Sequence, residues 1–202
     1  MNIGLIDYGA GNLRSVETTL NSVGFQPRLI SDPNQLEGLS HLILPGVGAF
    51  GDCSRKLHAQ GLADPIREWI AADKPFFGIC VGLQILMESS EESPSEPGLG
   101  IFKGKVKRFQ SEDLKIPHMG WNPLKVKDIN NPIWADIPER PHFYFVHSYY
   151  AQPEDESIIA ATCDYGVDFC AAIQRGRLFA TQFHPEKSQA LGARVIKDFL
   201  NA

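Results

Sequence analysis

A cysteine between two glycines, at the end of an apolar run, constrains the fold of this chain more than any other feature. The run is "PFFGI" (75–79), and Cys80 follows it, with Gly78 two residues before the thiol and Gly82 two residues after it. The next segment has helical apolar periodicity, which predicts a helix from residue 81 to about residue 89. A thiol on a sharp strand-to-helix turn adopts a strained backbone and needs small neighbours. The pattern therefore predicts a Gly-x-Cys-x-Gly nucleophile elbow at the carboxyl edge of a sheet. The pentapeptide alone leaves a structural cysteine equally open.

Strand-like and helix-like segments alternate through the first half of the chain. A strand-like run at 2–8 is followed by a helix that Asn12 would cap and Gly24 would end, and then by the strand-like runs "QPRLIS" and "HLILPGVGAF", the second leading into a glycine-rich turn. Residues 52–72 show helical character in two pieces. This alternation predicts an α/β fold of three layers, with a mixed, mostly parallel sheet and helices on both faces. The strand-like runs of the second half predict a partly antiparallel addition to the same sheet.

Composition fixes the broad class of the protein. A chain of 202 residues that is 43% hydrophobic fits one domain over residues 1–202. The net charge of −5 and the lack of a basic block argue against nucleic acid or an anionic membrane as the main partner. No apolar run is long enough to span a membrane. The N-terminus lacks the features of a secretory signal, so we expect a cytoplasmic protein.

The four cysteines do not form a metal or disulfide pattern. They are far apart, and no two of them make a Cys-x-x-Cys pair: Cys53, Cys80, Cys163 and Cys170. We therefore expect neither a metal nor a disulfide framework.

A thiol nucleophile needs a base, and His184 in "FATQFHPEKSQ" is the best candidate among six histidines. Pro185 keeps His184 out of a helix and favours an extended backbone. Residues two apart in an extended segment face the same side, so Glu186 is predicted to orient the imidazole. We interpret the histidines elsewhere, in particular His41, His58, His142 and His147, as structural or surface residues.

Two further features point to a site around the cysteine. The turn in "LPGVGAF" (44–50) presents backbone N–H groups that, with the N–H of Val81, would stabilise an oxyanion, although an ordinary tight turn is the alternative. Gln84 lies one helical turn after Cys80 and would share its face. The segment "GAGNLR" (9–14) fails the dinucleotide-binding fingerprint, because Arg14 stands where a third glycine is needed.

Together, "FGICVGLQ", "FHPEKS" and "LPGVGAF" resemble the class I (triad-type) glutamine amidotransferases, and the resemblance spans essentially the whole chain. Within that family, "DYGAGNLRSV", "PGVGAF", "PHMGWN" and "FYFVHSYYA" are most similar to the glutaminase subunits of imidazole glycerol phosphate synthases in histidine biosynthesis. The resemblance implies a flavodoxin-like fold. It also implies that Cys80 attacks the side-chain amide of glutamine, that His184 acts as acid and base, and that Glu186 orients His184.

The resemblance also implies how substrate and products are handled. The oxyanion would be bound by N–H groups of Val81 and of the Gly46–Val47 region, and glutamine by Gln84 and the backbone of Ser148 and Tyr149. No metal or organic cofactor is implied. The implied partner is a (β/α)8-barrel cyclase that forms a heterodimer with this chain and uses its ammonia.

Three alternatives remain open at the level of sequence. They are a glutaminase subunit of another pathway, such as anthranilate or pyridoxal phosphate synthesis, a partner-independent Cys-His hydrolase, and an inactive regulatory subunit. Hydrolysing glutamine without an acceptor wastes it, so we also expect a switch. Gly46 and Gly48 would let the peptide between Gly46 and Val47 rest with its carbonyl inward and complete the oxyanion hole by turning.

Overall fold

The structure, a computed structural model, describes residues 1–111, 113–135 and 137–202. Its strands are β1 (Ile3–Ile6), β2 (Pro27–Ile30), β3 (His41–Leu44), β4 (Phe76–Ile79), β5 (Ser89–Ser90), β6 (Gly104–Arg108), β7 (His118–Val126), β8 (His142–His147), β9 (Tyr149–Pro153), β10 (Ile159–Asp164), β11 (Asp168–Arg175) and β12 (Leu178–Thr181). Its helices are α1 (Leu13–Ser22), α2 (Phe50–Ala59), α3 (Ala63–Ala71), α4 (Val81–Gln84) and α5 (Gln189–Asn201).

A nine-stranded mixed sheet organises the chain, in the order β2-β1-β3-β4-β12-β11-β10-β7-β8. The strands from β2 to β12 in this order pair in parallel. Those from β12 to β8 pair antiparallel. The predicted α/β fold with a mixed sheet is therefore confirmed. One detail is wrong: β6 and β9 do not join this sheet but form a second one with β5.

Helices cover both faces of the parallel part of the sheet. The connection from β1 to β2 contains α1 and leads towards the β2 edge of the sheet. The connection from β3 to β4 contains α2 and α3 and leads the opposite way, towards the β8 edge. Right-handed crossovers in opposite directions place these helices on opposite faces. Every residue of β1, β3, β4 and β12 is buried, as expected for strands covered on both sides.

Two local predictions are wrong. The helix after Cys80 ends at Gln84 and not near residue 89, because the carbonyl oxygens of the next residues accept hydrogen bonds from the 98–102 segment. Leu99 N–H donates to the Ile85 oxygen at 2.7 Å, for example. Asn12 precedes α1 as predicted, but its side chain makes no capping hydrogen bond.

Within the described ranges, no helix combines the length and apolar character needed to cross a membrane. The same part of the chain holds no group of three or more His, Cys, Asp or Glu residues arranged to hold a metal ion.

Candidate active site

Cys80 lies at a sharp turn between β4 and α4. Its backbone has φ 54° and ψ −106°, in a region that residues with a side chain rarely adopt. A Cβ atom on Gly78 would lie 2.6 Å from the carbonyl oxygen of Gly82, and one on Gly82 would collide with the carbonyl oxygen of Leu44. The Cys80 N–H donates to the Thr181 oxygen at 2.7 Å. The chain therefore forms the elbow that the Gly-x-Cys-x-Gly pattern predicts, and close backbone approach requires both glycines.

His184 reaches the same edge of the sheet because β12 pairs with β4, with Thr181 opposite Ile79. Its Nδ1 atom lies 2.8 Å from Oε1 of Glu186, and both side chains are 1% exposed. The predicted contact is present, but its backbone differs from the expected one. Pro185–Lys187 forms a 3-10 turn, where an extended segment was predicted.

The environment of His184 favours its protonated form. Burial on its own lowers the pKa of His184, but Cys80 and the Glu186 carboxylate outweigh burial and raise the pKa to about 10. The other ring nitrogen, Nε2, is buried without a hydrogen bond to any residue that the structure describes. An imidazolium beside the sulfur stabilises a thiolate. The arrangement can therefore supply a nucleophilic sulfur together with a proton donor.

The predicted oxyanion turn lies against the elbow with one carbonyl facing inward. The Val81 N–H donates to the carbonyl oxygen of Gly46 at a long 3.4 Å. The N–H that would bind an oxyanion is thus occupied by the peptide between Gly46 and Val47. The inward carbonyl is the orientation that the sequence analysis expects for a turn at rest.

Two buried side chains hold the peptides on either side of the inward carbonyl. The Tyr8 hydroxyl donates to the carbonyl oxygen of Pro45 at 2.9 Å. The Cys53 thiol lies 3.8 Å from the carbonyl oxygen of Val47, to which it donates. The flanking carbonyls therefore have side-chain partners, whereas the Gly46 carbonyl has the long hydrogen bond from Val81. Gly46 itself packs closely on the elbow, where a Cβ atom would lie 2.7 Å from the backbone nitrogen of Gly82.

A cavity of about 310 Å³ connects the elbow and the turn, a size typical of small-molecule sites. The predicted residues that line it are Val47, Cys80, Val81, Gln84, Ser148, Tyr149 and His184. Glu186 stands behind His184, and Gly46 contributes its backbone to the elbow contact. The structure therefore brings all nine predicted site residues to one place.

Sequence analysis missed several residues at this site. Gln182 is fully buried and lies 3.7 Å, through Nε2, from the Cys80 sulfur. It could have been found, since it precedes His184 by two positions in the apolar run "FATQF" that leads to the histidine. Glu92, His147 and Lys187 line the cavity. Glu92 lies in the polar loop between β5 and β6, and no local sequence signal marks it.

Known proteins resemble this chain over nearly its whole length. A family profile described as "Glutamine amidotransferase class-I" matches residues 4–202. The chain is 49% identical to subunit HisH of imidazole glycerol phosphate synthase from Geobacter sulfurreducens, over 98% of this chain and 97% of that protein. It is 48% identical to the same subunit from Rhodopirellula baltica, over 99% of this chain and 97% of that protein.

Solved structures share the fold at lower identity. A crystal structure of a glutamine amidotransferase superposes with a TM-score of 0.78 at 22% identity, covering 100% of this chain and 98% of that one. PurLQS from Thermotoga maritima superposes with a TM-score of 0.77 at 21% identity, covering 99% of this chain and 97% of that one. At this level of identity the likeness concerns the fold alone.

Proposed function

The chain belongs to the class I glutamine amidotransferase family, and on that premise we propose that it is the glutaminase subunit of an imidazole glycerol phosphate synthase. It hydrolyses glutamine to glutamate and ammonia and passes the ammonia to a cyclase subunit. One observation carries this proposal: Cys80, with its strained backbone, and His184 line the same cavity. Glu186 contacts His184 there, with 2.8 Å between Oε1 and Nδ1.

The reaction follows from the roles of these three side chains. The Cys80 thiolate attacks the side-chain amide carbon of glutamine, and the resulting oxyanion collapses to a thioester as the carbon–nitrogen bond breaks. His184 donates a proton to the departing nitrogen, which leaves as ammonia. The neutral imidazole then removes a proton from water, which attacks the thioester and releases glutamate and the thiolate. Glu186 keeps the ring oriented and stabilises its charged form.

The cavity offers an acidic partner for the α-amino group of an amino-acid substrate, and polar groups for the rest of it. Glu92 is the only acidic side chain among the described lining residues, and its Oε2 atom accepts from Phe50 N–H at 2.8 Å, which leaves Oε1 for an α-amino group. The backbone of Ser148 and Tyr149 is proposed to bind the glutamine from the other side. Both Gln84 Nε2 hydrogen bonds go to protein groups, so its Oε1 atom is the one that remains for the substrate.

The partner is proposed to be a (β/α)8-barrel cyclase that covers the mouth of this cavity. Free ammonia in neutral water becomes ammonium, which is not nucleophilic, so the product must pass directly to its acceptor. Two large apolar side chains of β7 are exposed close to the lining residue Pro117: Met119 is 62% exposed and Trp121 is 44% exposed. Trp121 contacts Tyr144, whose ring lies 5.9 Å from the ammonium group of the lining residue Lys187. This apolar patch beside the cavity suits a permanent partner.

The inward carbonyl of Gly46 favours a partner-dependent subunit over a self-sufficient Cys-His hydrolase. An enzyme that works alone needs its oxyanion hole assembled, whereas here the Val81 N–H is engaged. A missing donor of this kind lowers the rate about 100-fold to 1000-fold.

Glutaminase turnover should therefore be measured for the chain alone, with the cyclase, and with the cyclase and its nucleotide ligand. We expect the chain alone to be nearly silent and the largest rate, about 100-fold higher or more, only in the third mixture. Equal rates in all three would exclude the switch. High turnover by the chain alone would favour the hydrolase instead.

A further inference from the structure

Gln182 connects the nucleophile to the glutamine-binding side of the cavity. It directly follows β12 and is fully buried. Its Nε2 atom lies 3.7 Å from the Cys80 sulfur, to which it donates. Its Oε1 atom accepts from Nε2 of Gln84 at 3.1 Å. A fully buried amide is retained only where its polar atoms find partners, and here one partner is the reacting sulfur itself.

The direction of this amide is fixed by a backbone carbonyl. The carbonyl oxygen of Tyr149 can only accept, and it does so from Nε2 of Gln84 at 2.9 Å and from Nδ1 of His147 at 2.8 Å. Gln84 must therefore point its NH2 group towards Tyr149, and the same group meets Gln182. Gln182 then presents its oxygen to Gln84, so its own NH2 group is left to face Cys80.

We propose that Gln182 is a catalytic residue that donates an N–H hydrogen bond to the Cys80 thiolate, with Gln84 as the positioning residue that orients it. The mechanism above gave the sulfur one stabilising neighbour, the His184 imidazolium. Gln182 adds a neutral donor that stays in place when His184 gives its proton to the leaving ammonia. It also stabilises the thiolate again when water releases it from the thioester.

The other thiols of the chain show why such a donor is needed. Burial raises the pKa of both Cys163 and Cys170 to about 12. Cys80 is also buried, with 4% exposure, but it differs from them in having the side-chain amide of Gln182 beside its sulfur.

Several titratable groups interact electrostatically with the Cys80 sulfur or line the same cavity. His184 with Glu186 stands on one side, and the buried Tyr8 and Cys53, which both interact with Cys80, stand on another. The cavity adds Glu92, His147 and Lys187. A test must therefore change the amide without altering any of these charges.

Gln182→Leu and Gln182→Met meet that requirement, because both delete the donor, keep the bulk and carry no charge. The measurement is the rate of Cys80 alkylation by iodoacetamide against pH in the full chain, read by mass spectrometry on the peptide between Arg67 and Lys103, which has no other cysteine. A matched control is Gln174→Leu, since Gln174 also receives a side-chain amide hydrogen bond, from Asn131 at 2.7 Å, but lines no part of this cavity.

We expect both Gln182 variants to raise the alkylation midpoint by about one pH unit, because a hydrogen bond to a charged group has that order of effect. Gln84→Leu should raise it by less, and Gln174→Leu should leave it unchanged. Thermal unfolding of each variant identifies those that fold. An unchanged midpoint in a folded Gln182 variant overturns the proposal, as does a shift that Gln174→Leu reproduces. The reaction role rests on the proposed function, but alkylation needs no glutamine and no partner, so the two can fail separately.

Discussion

The elbow around Cys80 and the turn at 45–48, which form the two sides of the candidate active site, differ in how many hydrogen bonds restrain them. The elbow around Cys80 is closed by backbone hydrogen bonds: its N–H donates to Thr181 at 2.7 Å and its carbonyl accepts from Leu83 at 2.9 Å. Gly82 lies so close to Leu44 that no side chain fits between them. In the turn at 45–48, the carbonyls of Pro45 and Val47 accept from buried side chains. The peptide between them has one long hydrogen bond, 3.4 Å from the Val81 nitrogen to the Gly46 oxygen.

The space around the glycines shows that the open part of the turn is its Gly48 side. A Cβ atom on Gly46 would lie 2.7 Å from the backbone nitrogen of Gly82, so Gly46 packs closely on the elbow. A Cβ atom on Gly48, which has φ +97°, would meet nothing within 4 Å. Cys80 and the His184 side chain proposed as its base are thus preassembled, while the turn has open space on its Gly48 side. A synthase subunit can use this division, since the chemistry stays ready and only one peptide has to be controlled.

The largest effect expected from breaking the rigid half is that of Cys80→Ala. Because the backbone and not the sulfur closes the elbow, this variant should fold and bind its partner, while glutamine-dependent activity falls by about 10⁴-fold or more. The measurement is glutaminase turnover in the complete complex, with circular dichroism and partner binding as controls. Substantial glutamine-dependent turnover in the folded variant would remove Cys80 from the mechanism.

A smaller loss is expected from Glu186→Ala. His184→Ala removes both acid and base and should nearly match Cys80→Ala, whereas Glu186 only orients the ring. Glu186→Ala should therefore retain about 10- to 100-fold more activity than Cys80→Ala, as in other triads. Steady-state kinetics of the three variants under one set of conditions makes the comparison. If folded Glu186→Ala is as inactive as Cys80→Ala, the orienting role is wrong.

The smallest expected effect is on stability, and it compares a glycine of the elbow with a glycine of the turn. Gly82→Ala should lower the free energy of unfolding by about 3 kcal/mol, because its Cβ atom would overlap the Leu44 carbonyl. Gly48→Ala should lower it by about 1 to 2 kcal/mol, since only the left-handed backbone opposes it. Urea unfolding of both variants gives the difference. Equal losses would mean that the turn is as tightly packed as the elbow.

The parts of the site that the sequence predicted are those whose interacting residues lie close together along the chain. Cys80 with its glycines, and His184 with Glu186, are local patterns, and each appears in the structure as a contact. The early end of α4 was not predictable, because it results from contacts with a remote segment. Backbone N–H groups of residues 98–102 donate hydrogen bonds to the carbonyl oxygens that would otherwise accept within the next helical turn. Glu92 was missed for the same kind of reason: it reaches the cavity only because its loop packs on the start of α2, where it accepts from Phe50.

The fold was predictable where alternation is regular and less so where strands pair over long distances. The alternation of strands and helices before Cys80 predicts parallel pairing. Nothing local shows that β12, from the end of the chain, lies between β4 and β11. The turn at Pro185–Lys187 was also hidden, since a proline is compatible with both an extended segment and the start of a 3-10 turn.

The position of β12 affects the protein during its synthesis. Residues 178–181 leave the ribosome about a hundred residues after β4, and until they arrive β4 has an open edge and Cys80 lacks His184, the residue proposed as its base. A nascent or truncated chain that ends before residue 178 is therefore prone to aggregate and cannot cleave glutamine.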